Sequence, residues 1–189
     1  MTQLKSVVRW AGWSGEGLDH CLFLRDSDGL CLEGLAIGAG DACTYAARYK
    51  VQTDAALRTR DVVVSFVGGP DLWLVADGKG NWTDGRTGVA IEGLTGCTDV
   101  DIAVTPATNT LPILRSGLAV GESADVVVAY LPLTAGLGAV IVPIAAHQRY
   151  TRLGLDRYRY ESLTSGFTSE IDVDENGLVK DYPGIFRRL

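Results

Sequence analysis

The chain has 189 residues, of which 47% are hydrophobic, and this composition excludes a disordered protein and fits a single globular domain over residues 1–189. It carries 17 basic and 23 acidic residues, for a formal net charge of −6, and its longest basic run is an Arg-Arg pair near the C-terminus. Nucleic-acid-binding proteins need a concentrated basic face, so we expect no nucleic-acid partner.

The N-terminal sequence MTQLKSVVRW contains no apolar core of the kind that a signal peptide needs. The most apolar later stretch, residues 137–146, is about half as long as a transmembrane helix. These two observations predict a cytoplasmic protein that has no transmembrane segment.

The cysteines and histidines indicate neither a metal site nor a disulfide framework. No two cysteines have Cys-x-x-Cys spacing, and the two histidines are far apart in the sequence. In a reducing cytoplasm a cysteine is usually a small, buried, apolar residue. We therefore expect no cofactor, no metal and four free thiols, at Cys21, Cys31, Cys43 and Cys97.

Side chains that alternate between apolar and polar with a period of two predict half-buried β-strands. Residues 44–52 place Tyr45 and Tyr49 on one face and Arg48 and Lys50 on the other. Further strands are predicted where residues alternate or β-formers cluster, at 61–67, 71–76, 124–131, 139–144, 156–162 and 168–174.

Turn sequences separate these strands, with DSDG at 26–29, DGKG at 77–80 and DENG at 174–177. The best helix candidate is a short piece at 54–59. Many short strands joined by tight turns predict an all-β fold, a strongly curled, mostly antiparallel sheet that forms a β-roll or incomplete barrel, with at most short helices. Such a sheet can enclose a cavity.

The segment LTGCTDVDIAVTPATNTLPILR, residues 94–115, is unusually rich in Asp, Thr and Pro. If 98–104 is a strand, Val100, Ile102 and Val104 face the core, whereas Asp99 and Asp101 share the opposite face. Those two carboxylates have two interpretations. They form an acid–base pair or cation site, or they lie on a solvated strand face.

The second half of this segment, residues 105–112, predicts a rigid turn. Thr108, Asn109 and Thr110 can hydrogen-bond their own backbone, and Pro112 favours extended geometry at the residue before it. A rigid turn can form the wall of a binding site, or it can be only a turn.

Three arginines and one tryptophan complete the candidate site. In a strand over 57–66, Arg58 and Arg60 would share a face with the core valines and give that face a basic end. Arg115 adds a third cation, which could bind a carboxylate or phosphate group or neutralise Asp99 or Asp101. We expect at least one of these three arginines beside the two aspartates, because two carboxylates on one face are best tolerated with a guanidinium in reach. Trp73 could stack on a sugar ring or could simply belong to the core.

The chain resembles, over nearly its whole length, a bacterial family described as glycolipid-binding. The resemblance rests on YKVQTDAALRTRDVVV, DGKGNW, the segment at 94–115, QRYTRL, YRYES and FTSEIDVDENGLVKDYPGIFRRL, in this order. Ala107 and Leu114 depart from the family pattern, which has an aromatic and a basic residue there. The resemblance implies a roll-like β-sheet similar to that of lipoprotein carriers, and a binding role.

The sequence thus favours non-catalytic binding of an amphiphile with a sugar or phosphate head, such as a glycolipid, in the interior or mouth of the curled sheet. One alternative is an enzyme that uses Asp99 and Asp101 as an acid–base pair, and another is an interaction module with an exposed sheet edge. The oligomeric state stays open. The predicted ligand-binding residues are Arg58, Arg60, Trp73, Asp99, Asp101, Thr108, Asn109 and Arg115.

Overall fold

A computed structural model of the chain describes residues 4–40, 43–132 and 140–189. The described elements include short 3-10 helices at Glu92–Leu94 and Pro106–Asn109 and an α-helix, α1, at Thr110–Ser116. The strands are β1 Leu4–Gly12, β2 Leu18–Arg25, β3 Leu30–Gly40, β4 Cys43–Thr53, β5 Thr59–Phe66, β6 Asp71–Ala76, β7 Trp82–Asp84, β8 Asp99–Ile102, β9 Ser123–Leu131, β10 Ile144–Arg152, β11 Arg157–Ser162, β12 Thr168–Val173, β13 Val179–Tyr182 and β14 Phe186–Arg188.

These strands form one curled sheet in the order β7-β6-β5-β4-β3-β2-β1-β14-β13-β12-β11-β10-β9-β8. Neighbouring strands are antiparallel throughout except for β8 and β9, which run parallel. The sheet is not closed, because β7 and β8 are its two edges, but it curls far enough for β8 to contact β5. This confirms the predicted fold class of a curled, incomplete barrel with only short helices.

The alternation seen in the sequence decides which side chains face the inside of the curl. Tyr49 and Val51 on β4, and Ile171 and Val173 on β12, are all buried, as their period-two pattern predicts. Fully burying one such side chain contributes about 1.5–3 kcal/mol, which is enough to fix the register of each strand. The concave face therefore holds the core.

Two local predictions are wrong. Residues 54–59 do not form a helix, because Asp54 accepts hydrogen bonds from the backbone N–H groups of Ala56 and Arg58 and closes a tight turn instead. The strand predicted at 139–144 begins only at Ile144, since residues 140–143 lie outside any strand. Pro143 has no N–H to donate to a sheet ladder, which is consistent with this late start. Residue 139 lies outside the described residues.

A β-bulge overturns the predicted face of Arg60. On β4 and β5, Thr53 pairs with Thr59 and Gln52 pairs with Asp61, so Arg60 is an extra, unpaired residue. The bulge reverses the alternation, and Arg60 is exposed whereas Val62 and Val64 on β5 are buried. Arg60 therefore does not share the core face.

The rigid turn predicted at 105–112 is also wrong, because this segment is helical. Thr105 caps the 3-10 helix by accepting a hydrogen bond from Ala107 N at 3.1 Å, and Pro106 occupies the first helical position. Pro112 lies in the first turn of α1, where a missing N–H costs nothing, so it does not extend the chain before it. Gly117, at φ 56°, ends α1.

Cys21, Cys31 and Cys97 are free thiols, whereas Cys43 lies outside the residues whose side chains the structure describes. In the part of the chain that the structure covers, no helix is long and apolar enough to cross a membrane.

Candidate functional site

The main cavity lies between the 3-10 helix at Pro106–Asn109 and the concave face of β8 to β11 and β13. Its volume is about 360 Å³. Polar groups from the edge strand and the helix form its floor, and aromatic rings form one wall. Its lining includes Asp101, Asn109, Tyr130, Gln148, Tyr160 and Phe167.

A hydrogen-bonded network forms the polar floor. Asp101 accepts from Gln148 Nε2 at 2.6 Å and from Thr108 Oγ1 at 3.3 Å. Tyr150 donates its hydroxyl to Asn109 Oδ1 at 2.9 Å and lies 3.4 Å from Gln148 Oε1. The network joins the helix to β8 and β10, so it holds the amide and carboxyl groups in fixed positions.

Removal from bulk water raises the pKa of Asp101, although the hydrogen bonds from Gln148 and Thr108 partly oppose this rise. Burial also raises the pKa of Tyr150 well above its usual value, and the nearby Asp101 carboxyl adds to that effect. The Tyr150 hydroxyl therefore remains a hydrogen-bond donor at any ordinary pH.

The aromatic wall consists of Tyr160, Phe167 and Tyr182, whose ring centroids lie 6.0 to 6.3 Å apart. Phe167 is 41% exposed and Ile144 is 47% exposed, and both also line the cavity. The cavity is thus polar at its floor and apolar where it meets solvent.

Asp99 and Asp101 have different surroundings although they share a strand. Asp99 is fully buried, and both of its oxygens accept hydrogen bonds from Arg115, at 3.1 and 2.6 Å. This satisfies the expectation that a guanidinium lies within reach of the carboxylates. Asp99 does not line the main cavity, whereas Asp101 does.

Three of the predicted site residues, Asp101, Thr108 and Asn109, belong to the network of the polar floor. Asp99 and Arg115 pair with each other and do not line the main cavity. The other three lie elsewhere. Arg58 is exposed, Arg60 bonds to Asp54 and to Ala76 O, and Trp73 donates to Asp61 at 2.8 Å on the outer face of β6. None of these three lines the main cavity.

The sequence analysis missed the aromatic wall, Gln148 and a second buried carboxyl, Asp19. Asp19 is 2% exposed and accepts hydrogen bonds from Tyr49 at 3.0 Å and Thr105 at 2.5 Å. A signal for Asp19 exists in LDHCLF, where an aspartate shares the inward face of an alternating strand with Cys21 and Phe23. Among the described residues, no group of His, Cys, Asp or Glu could hold a metal ion.

The fold and the cavity define an all-β protein whose open, curled sheet holds a cavity of small-molecule size. The chain belongs to the family described as "Putative glycolipid-binding", whose model matches residues 7–188. It is similar to a crystal structure of a DUF1089 family protein from Pseudomonas aeruginosa, with 34% identity and a TM-score of 0.77 over 100% of this chain and 93% of that one. No protein of curated function matches the chain significantly.

Proposed function

We propose that the chain binds, without chemical change, an amphiphile whose uncharged, hydroxyl-rich head enters the main cavity. One observation carries this proposal: a fixed network of carboxyl, amide and hydroxyl groups lies beside an aromatic wall. Hydroxyl-rich rings present donors and acceptors around their edge and an apolar face, and this combination of groups complements both. The description of the family supports the same class of ligand.

The charge of the lining residues limits which head groups the main cavity can bind. Among the described lining residues there is no Lys, Arg or His, and Asp101 is the one carboxyl. A phosphate head would have no cation to pair with and would lie near a carboxyl group, so binding it would be unfavourable. A neutral head such as a sugar can instead donate hydrogen bonds to Asp101 and accept one from Gln148.

The size of the cavity indicates how much of the amphiphile it encloses. Small-molecule sites occupy about 300–1,000 Å³, and about 360 Å³ lies near the lower limit of that range. The cavity therefore takes the head group or a short part of a chain. The exposed side chains of Ile144 and Phe167 at its mouth provide an apolar surface for the rest.

The alternative of an acid–base pair finds less support in the geometry. Both oxygens of Asp99 are engaged by Arg115, and Asp99 does not line the main cavity. A catalytic pair needs both carboxyls within reach of one bound substrate. Only Asp101 meets that requirement, so we retain binding as the proposed function.

The test measures binding of octyl glucoside, below its micelle concentration, against octyl phosphate of the same chain length. We expect the glucoside to bind and Asp101→Asn to weaken its binding by about tenfold or more, because the amide replaces one of the two oxygens that can accept from the sugar hydroxyls. Asp125→Asn is the matched control, since Asp125 is exposed and pairs with Arg149 on the surface.

Two results would contradict the proposal. One is tighter binding of the phosphate than of the glucoside. The other is equal glucoside binding by both aspartate variants and the unaltered chain. Native mass spectrometry of the protein purified from its own host then identifies which amphiphile the chain carries in the cell.

A further inference from the structure

A second cavity of about 370 Å³ adjoins the main one and shares Ala103, Ile185 and Phe186 with it. It lies where the connection between β1 and β2 meets the end of β3. Trp13 anchors this connection by donating its backbone N–H to Ile185 O at 2.9 Å. The side chains that characterise this cavity are Trp10, Trp13, Tyr45, Phe186, Glu16 and Asp19.

Asp19 is a buried carboxyl without a cationic partner. Its hydrogen bonds come from Tyr49 and Thr105, both uncharged, and no salt bridge found in the described residues includes it. A carboxylate has about four lone-pair positions, and these two hydroxyls leave some of them unused. Asp19 is one of the residues that line the cavity.

Aromatic residues line the same cavity as this carboxyl. Trp10 is fully buried and pairs with Asp19 in the register of β1 and β2, and Trp13 is 42% exposed. The face of an aromatic ring attracts a cation that lies within about 6 Å, and Trp does so most strongly. The cavity thus combines two carboxyl side chains with aromatic faces, and no Lys, Arg or His occurs among its described lining residues.

One guanidinium lies near the cavity without lining it. Arg188 lies 5.9 Å from the Trp10 ring centroid, but it pairs with Asp174 at 2.6 Å and donates to the carbonyls of Leu178 and Val179. Its position is therefore fixed by other partners, and it does not neutralise Asp19.

We propose that the second cavity is a binding site for an organic cation, such as a quaternary ammonium group, held by Asp19 and by the faces of Trp13 and the neighbouring rings. A cation of this kind supplies a positive charge to pair with the Asp19 carboxylate. Its alkyl surface also contacts the aromatic lining, which a strongly hydrated metal ion would not do. This site is separate from the head-group site in the main cavity.

The ionisation of Asp19 should make cation binding depend on pH. Burial raises the pKa of Asp19 from 3.8 to about 7, against the lowering effect of the hydrogen bonds from Thr105 and Tyr49. Burial also raises the pKa of the Cys21 thiol to about 12 and that of Tyr49 well above its usual value, so neither changes charge near neutrality. Glu16 lines the cavity as well, and His20 lies on the outer face of β2.

The test is isothermal titration of the full-length chain with butyltrimethylammonium chloride, with 1-pentanol and sodium pentanoate as neutral and anionic comparators. We expect one cation to bind per chain and neither comparator to bind at the same concentration. The pKa of Asp19 is about 7, so its carboxylate form predominates only above about pH 7. The affinity for the cation should therefore be about tenfold higher at about pH 8 than at about pH 6.

Two variants and one control locate the site. Asp19→Asn should weaken cation binding by about tenfold or more at the higher pH and should remove the pH dependence. Trp13→Ala, at an exposed position, should weaken binding while leaving the melting temperature nearly unchanged. Asp125→Asn should bind the cation like the unaltered chain, because Asp125 lies in an exposed surface pair.

The proposal is overturned if pentanoate binds as tightly as the cation, or if the cation produces no binding heat at millimolar concentration with folded protein. It is also overturned if Asp19→Asn and Trp13→Ala both bind like the unaltered chain. Asp101→Asn separates this site from the main cavity, because it should weaken glucoside binding and leave cation binding intact. Failure of either proposal can therefore be recognised independently of the other.

Discussion

Replacing Asp19 by Asn tests whether a buried carboxyl makes the fold less stable at neutral pH. Asn keeps the shape of the side chain and an oxygen that can accept from Tyr49 or Thr105, but it carries no charge at any pH. Asp19 is 2% exposed and has no cationic partner among the residues that the structure describes, so no charge there compensates its ionisation.

The magnitude follows from the pKa. Burial raises the pKa of Asp19 from 3.8 to about 7, and each pH unit corresponds to about 1.36 kcal/mol, so the ionised carboxylate costs about 4 kcal/mol of stability. The folded chain binds this proton more tightly than the unfolded chain does. The protonated carboxyl therefore adds its full contribution below about pH 4, and this contribution is lost as the pH rises through about 7.

The assay is urea-induced unfolding of the unaltered chain and Asp19→Asn at about pH 4.5 and about pH 8. At each pH we take the difference in unfolding free energy between the variant and the unaltered chain. Subtracting the difference at one pH from that at the other removes any effect of the amide that does not depend on pH. We expect the variant to gain about 3–4 kcal/mol relative to the unaltered chain across this range. A difference that is the same at both pH values would refute the reasoning.

Two further substitutions test the packing around the cavities. Asp99→Ala should cost about 3 kcal/mol in urea unfolding, because it leaves a partly buried guanidinium without its partner, whereas Asp172→Ala, at a surface pair, should cost less than about 1 kcal/mol. Gly34→Ala should lower the free energy of unfolding by about 1–3 kcal/mol, since the added Cβ would lie 2.3 Å from the Tyr49 hydroxyl. Gly93→Ala should lower it less, because a Cβ added there meets nothing within 4 Å. Equal losses within either pair would contradict these expectations.

Much of the fold could be predicted from the sequence because the inside and outside of a strand alternate locally. The pattern at 156–162 placed Tyr158 and Tyr160 inside the curl, and both are buried. The bulge at Arg60 could not be predicted in this way, because it depends on which residue of β4 opposes which residue of β5.

The helix at 110–116 was missed although the sequence contains its signals. Thr105 and Pro106 are a capping residue followed by proline, and Gly117 follows a basic residue in the last turn. The richness of this segment in Thr, Asn and Pro favoured a turn instead, because these residues occur in both structures. Only seven residues form α1, too few for a helical period to stand out.

The candidate site could be predicted only in part, because its members come from distant parts of the chain. Thr105 bonds to Asp19 across 86 residues and Thr110 bonds to Gly177 across 67. Residues 98–112 supplied Asp101 and Asn109, which the sequence analysis proposed, but Gln148 enters from β10. No local pattern indicates which strand of a curled sheet will face a given helix.

These long-range contacts also explain how an open sheet comes to hold two cavities. A curled sheet by itself is a groove, and its concave side is separated from solvent only where another segment covers it. Residues 103–116 provide that cover, held by the hydrogen bonds of Thr105 to Asp19 and of Thr110 to Gly177 O. These bonds place polar groups beside the apolar contacts that Ala107, Leu111 and Ile113 make with the core. The spaces beside them keep polar groups within reach of a ligand.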